Sequence, residues 1–116
     1  MSQPVLLKVY AAFTPATGED FQKLSDACSS AIAAEDDHGP LVLFSGDLLR
    51  ISFEGIYFPL DDVVPVIEEL AEKKATGKMD VLDLENWRMT RYQAKGDGRL
   101  EKRSAPLNSV LDYSGH

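Results

Sequence analysis

Apolar and polar residues alternate with a period of two through "PVLLKVYAAF", residues 4–13. Val5, Leu7, Val9 and Ala11 fall on one side and Leu6, Lys8 and Tyr10 on the other, which predicts a strand. From Thr17 the period lengthens. Phe21, Leu24, Cys28, Ala31 and Ile32 recur at intervals of three and four, the apolar stripe of a helix that faces a sheet. Thr17 and Asp20 have capping-box spacing and Glu19 adds negative charge at the same end, so the helix is expected to start near Gly18 and to stop at Gly39-Pro40.

The stretch "LVLFSGDLLRISFEGIYF" holds two β-rich runs on either side of Gly46-Asp47, a pair suited to a type II′ hairpin turn. In the second run Leu49, Ile51 and Phe53 share one face while Arg50, Ser52 and Glu54 share the other, so one side of the sheet should be wet, with Gly55 marking a bulge. "PLDDVVPVIEELAEKKATG" predicts a second helix, capped by Asp61 or Asp62, with Pro65 in its first turn and Val63, Val66, Ile67, Leu70 and Ala71 as its buried face. Gly77 is the residue expected to close it. For 78–86 we expect an irregular or helical link, because Asp80 and Asp83 have capping-box spacing, followed by a strand from about 86 to 94 in which Trp87 and Met89 pack inward. Asp97-Gly98 then turns the chain and "RLEKRSA" returns as an edge strand.

The order is strand, helix, strand, strand, helix, strand. It predicts an α+β domain of the ferredoxin-like split βαβ kind, an antiparallel sheet with both helices on one face, extended by a C-terminal β-hairpin and tail. A single domain is expected over residues 1–106, including a basic hairpin at 86–105. The tail at 107–116 is too apolar for pure disorder and is expected to dock on the body or a second subunit, or to stay partly mobile.

Composition narrows the function classes. A chain of 116 residues, 44% hydrophobic and 27% charged, can build one core. No apolar run approaches the roughly eighteen residues of a membrane span, and the N-terminus lacks a basic leader, so a cytoplasmic protein without a membrane partner is expected. The single cysteine excludes an intrachain disulfide and a thiolate metal cage. A formal net charge of -7 makes nucleic acid an unlikely partner for the body as a whole. Yet "NWRMTRYQAKGDGRLEKR", residues 86–103, gathers six of the twelve cations.

That stretch has three readings: a solvated edge hairpin protected by its cations, a seam to another protein, or a single-strand nucleic-acid arm with stacking aromatics. Its interface candidates are Trp87, Arg88, Arg91, Tyr92, Arg99, Lys102 and Arg103. Cations on one part of an acidic chain favour a homodimer or a protein partner over a nucleic acid. A cleft between the sheet and the C-terminal segment, lined by Arg50, Glu54, Tyr57, Trp87 and Arg91, is the enzymatic alternative. Glu35, Asp36, Asp37 and His38 crowd several metal-capable groups together but match no standard ligand spacing, so no metal is assigned. The chain has no phosphate-cradling glycine motif and Cys28 lies on the apolar stripe of its helix; no cofactor and no catalytic residue is assigned. The expected function is therefore binding rather than catalysis.

Overall fold

A computed structural model of the chain describes residues 5–34 and 40–107. The elements run β1 (Leu7–Thr14), α1 (Gly18–Ala27), β2 (Ile32–Ala33), β3 (Val42–Ser45), β4 (Leu48–Tyr57), α2 (Leu60–Glu72), β5 (Thr76–Asp83), β6 (Arg88–Lys95) and β7 (Leu100–Pro106). Among the described residues this is an α+β fold, two helices and a seven-stranded sheet whose strand pairs are all antiparallel. The path across the sheet is β2-β4-β1-β5-β6-β7, and β3 pairs with β4 beside β2. No helix among the described residues is long and apolar enough to cross a membrane.

The period-two pattern dictates which face is covered. Val9, Ala11 and Phe13 of β1, Leu49, Ile51 and Phe53 of β4, and Met79 and Val81 of β5 are buried in one cluster with Leu24 and Cys28 of the first helical segment and Val63, Ile67, Leu70 and Ala71 of α2. Both helices therefore lie on one side of the sheet. The alternate residues, Lys8, Tyr10 and Ala12 on β1 and Arg50, Ser52 and Glu54 on β4, form a face that no described element covers. The β3–β4 turn is a two-residue connection in which Gly46 alone has a positive φ (63°), the type II′ rather than the I′ pattern.

The structure corrects four expectations. First, α1 ends at Ala27, well short of Gly39-Pro40, and Ile32 belongs to β2, where it pairs with Tyr57. Ser29 and Ser30 are poor helix formers, and a β-branched residue opposite an aromatic is a favourable strand pair. A register shift does fall opposite Gly55, whose missing side chain lets β2 approach: a Cβ there would run into the Ile32 carbonyl.

Second, α2 begins at Leu60 with Pro59 as its N-cap and no side-chain cap; Asp61 and Asp62 instead sit in the first turn, where their charge suits the dipole. Pro65 lies beyond that turn, on an exposed side of the helix. Third, Gly77 does not close α2. Lys74 does so with a φ of 69°, and the Lys74 and Ala75 amides donate to the carbonyls of Ala71 and Leu70, which is the Schellman arrangement with lysine in the glycine position.

Fourth, the 78–86 segment is not a link. Most of it is β5, an interior strand between β1 and β6. Asp80 and Asp83 cap no helix: Asp83 closes the 84–87 turn, its carboxylate accepting from the amides of Glu85 (3.1 Å) and Asn86 (3.0 Å) and from the Asn86 side chain (2.8 Å). The Asn86 side chain, helped by these amides against partial burial, holds the Asp83 carboxyl below its usual pKa. Trp87 falls in that turn with a φ of 56° and is exposed, and Met89 faces the uncovered side, so neither packs into the core as expected.

One buried charge ties the helical layer together. Asp20, 2% exposed, completes the predicted capping box with Thr17, and its other oxygen accepts from the Lys73 ammonium at 2.6 Å, just past the end of α2. Burial works to raise the Asp20 carboxyl's pKa. The hydrogen bonds from Lys73 and Thr17 outweigh it and leave the pKa lowered.

Two outcomes follow for stability. Asp20→Asn is expected to cost about 1–3 kcal/mol at neutral pH, measured by urea denaturation. Because the folded pKa is lowered, the carboxylate's contribution is complete above about pH 4 and is lost as the pH falls further, so the gap between wild type and variant should narrow there. Lys74→Gly should stabilise the fold by about 0.5–1 kcal/mol, read from the same curves, because glycine adopts the left-handed conformation without strain.

Candidate functional site

The uncovered face is a grid whose rows are set by strand register. One row runs Glu54, Lys8, Leu82, Met89, Ala105; the next runs Ser52, Tyr10, Asp80, Arg91, Arg103; the third runs Arg50, Ala12, Lys78, Gln93, Glu101. Chemistry changes from row to row. The first is largely apolar beyond Lys8 and continues past β5 into Leu84, which sits beside Leu6 through the Leu84 amide to Leu6 carbonyl bond. The second and third rows each carry three charged residues.

In the middle row the Arg91 guanidinium makes a two-pronged contact with Asp80, Nε to Oδ1 at 2.7 Å and a terminal nitrogen to Oδ2 at 3.0 Å. Asp80, by that bond, holds the Arg91 guanidinium's pKa above its usual value despite partial burial. Tyr10 donates its hydroxyl to Glu54 at 2.6 Å. These acids are thus engaged within the protein.

The third row differs. Ala12 lies between Arg50 on β4 and Lys78 on β5, and its short side chain leaves a hollow of 240 Å³ walled by Tyr10, Arg50, Ser52, Lys78 and Asp80. No ion pair joins Arg50 or Lys78 to another described residue. A second hollow, of 480 Å³, shares Ala12 and Lys78 and extends over Gly77 towards Gln93 and Lys95.

Charge is sorted between the two sides of the molecule. Lys8, Arg50, Lys78, Arg91, Lys95 and Arg103 share the uncovered face with three acids, Glu54, Asp80 and Glu101. The helical layer has the opposite balance: eight acids lie in α1 and α2, against Lys23 and the two lysines that follow α2. The acidic excess of the chain thus falls largely on the helical layer, opposite the uncovered face.

The basic hairpin is partly self-neutralised. Arg91 pairs with Asp80, Lys95 with Glu101 and Arg99 with Asp97, while Lys102 lies 5.8 Å from the Tyr92 ring centre. Its cations also point to different sides, Arg91, Lys95 and Arg103 to the uncovered face and Arg88 and Lys102 to the other. Tyr92 is a core residue, 7% exposed, and Trp87 sits exposed at the β5–β6 turn. The hairpin thus offers no single track of cations and rings.

Of the five cleft residues, the structure places Arg50 in the hollow and Arg91 behind the hollow's Asp80. Glu54 lies two residues along β4 from the nearest of the hollow's residues on that strand. Tyr57 ends β4 against β2, and Trp87 belongs to the far turn. Sequence reasoning missed Lys78, Asp80 and Ala12. Reading 78–86 as a link hid the signal, which is the alternation of Met79 and Val81 with Lys78, Asp80 and Leu82.

Cys28 is buried, and that burial pushes its thiol up to about 12, far from the range of a reactive thiolate. Among the described residues no three metal-capable side chains gather, and the Glu35 to His38 cluster lies outside them. No family model, curated protein or solved structure matches the chain, which leaves the geometry of the uncovered face to carry the functional reading.

Proposed function

We propose that this chain works by binding, with a second copy of itself as partner, on a ferredoxin-like sheet whose uncovered face is the working surface. The strand order supports the ferredoxin-like reading. With β3 as the second strand, β3, β4, β1 and β5 lie side by side in the order that a split βαβ produces, and β6 and β7 extend that sheet.

The observation that carries the binding reading is the apolar end of the uncovered face. Leu6, Leu82, Leu84 and Met89 lie together there, only partly buried, with Trp87 exposed at the adjoining turn. An apolar patch of this kind on a sheet face marks a contact surface, and aromatic residues beside it commonly supply much of the energy. The patch has Lys8 and Glu54 as neighbours at its rim, and an apolar patch of this kind can meet its own copy across a two-fold axis. Burial pushes the Cys28 thiol up to about 12, so that residue supplies no thiolate nucleophile.

A second reading places the seam at β7, where Lys102 and Arg103 are exposed along the sheet edge. Antiparallel pairing of two such edges would bring cations against cations, which disfavours it.

Sedimentation equilibrium of the full chain separates these readings. The wild type should form a concentration-dependent dimer, and Leu82→Gln with Met89→Gln should weaken association at least tenfold, whereas Lys102→Glu with Arg103→Glu should not weaken it. The reverse pattern would move the seam to the β7 edge, and a wild type monomeric at every concentration would end the self-association proposal.

A further inference from the structure

The hollow over Ala12 has a chemistry that self-association leaves unused. We infer that it binds a phosphate monoester of a small organic molecule, the phosphate held between Arg50 and Lys78. The inference shares with the preceding section the view that the uncovered face is the working surface; it does not depend on a dimer.

Register supplies the geometry. Arg50, Ala12 and Lys78 are direct neighbours on β4, β1 and β5. Adjacent strands lie about 4.8 Å apart, so the two cationic residues start about 10 Å from each other with a single methyl group between them. Both side chains are long enough to close over a group seated on Ala12. Two like charges flanking an apolar gap repel each other unless an anion enters it.

The charges of the neighbouring row make the same point. Asp80, the acid in the hollow's wall, is occupied by the two-pronged contact with Arg91, which leaves Arg50 and Lys78 as the charges on offer. A guanidinium matches two oxygens of a phosphate at once and an ammonium adds a point charge, so the pair suits a dianion better than a monoanion. The Ser52 hydroxyl stands beside them as a further donor.

Size and lining limit the remainder of the ligand. A volume of 240 Å³ lies below the range of about 300–1,000 Å³ common for drug-sized ligands, so a phosphate with a compact body fits. The Tyr10 ring and the Ala12 methyl offer that body an apolar wall and floor. The adjoining hollow over Gly77 gives a longer body room to extend towards β6.

The test is an amide chemical-shift titration of the full chain with phenyl phosphate, with phenol and a single-stranded oligothymidine as comparison probes. Phenyl phosphate at millimolar concentration should shift the amides of Ala12, Ser52 and Lys78, and phenol should not. Affinity should rise several-fold as the pH passes about 6, where the ester gains its second charge. Arg50→Gln with Lys78→Gln should weaken binding at least tenfold, while Arg88→Gln, which removes a cation from the other side of the sheet, should leave it unchanged. The Leu82→Gln with Met89→Gln variant should still bind the ester, which separates this site from the dimer contact. Equal binding by the Arg50 and Lys78 double variant, equal shifts with phenol, no shift at these amides, or tighter binding of the oligothymidine at the same residues would each overturn the inference.

Discussion

β1 is paired along its length with β4 on one side and β5 on the other, and the arrangement of both faces depends on that double register. Val9, Ala11 and Phe13 enter the core, and the charge of Lys8 keeps the alternate set, with Tyr10 and Ala12, on the other face. A slip of one residue would send a lysine and a tyrosine under the helices and strand three core residues in water. The cost of such a slip makes the register nearly unique. It also fixes, without any interaction devoted to the purpose, that Arg50 and Lys78 stand on either side of Ala12. The core thus determines the geometry of a surface that shares no side chain with it.

The helical layer is secured by different means. Its apolar face would tolerate some sliding, because apolar contact has no direction. Asp20 adds direction. It receives its own helix's first turn through Thr17 and the far end of α2 through Lys73. A buried carboxylate with fewer donors would be a liability. Here each oxygen has a donor, so the charge fixes the position of one helix against the other.

Much of the architecture could be read from the chain because its strongest signals are local. The Thr17 and Asp20 spacing, the Gly46-Asp47 turn and the alternation in β1 and β4 all depend on near neighbours, and all reappear in the fold. Misread segments were those decided by distant partners. Ile32 is a strand residue because Tyr57 lies opposite it, and Lys74 takes a glycine-like conformation between the buried Leu70 and Ala71 of α2 and the buried Ala75 that leads into β5. The 78–86 segment has two acids at capping distance, but β1 on one side and β6 on the other decide its state. The surface hollow was hidden with that strand, since Arg50 could be recognised as outward-facing while its neighbour across the sheet could not be named.

Gly77 carries a consequence of its own. Its backbone lies so close to β1 that a Cβ would strike the Ala12 carbonyl, so any side chain there must wedge the two strands apart. The spacing between the charged residues flanking Ala12 is therefore gauged by a position that contributes no side-chain atoms. In the drift of such a sequence, the position that calibrates this surface would show itself only as a residue that cannot grow.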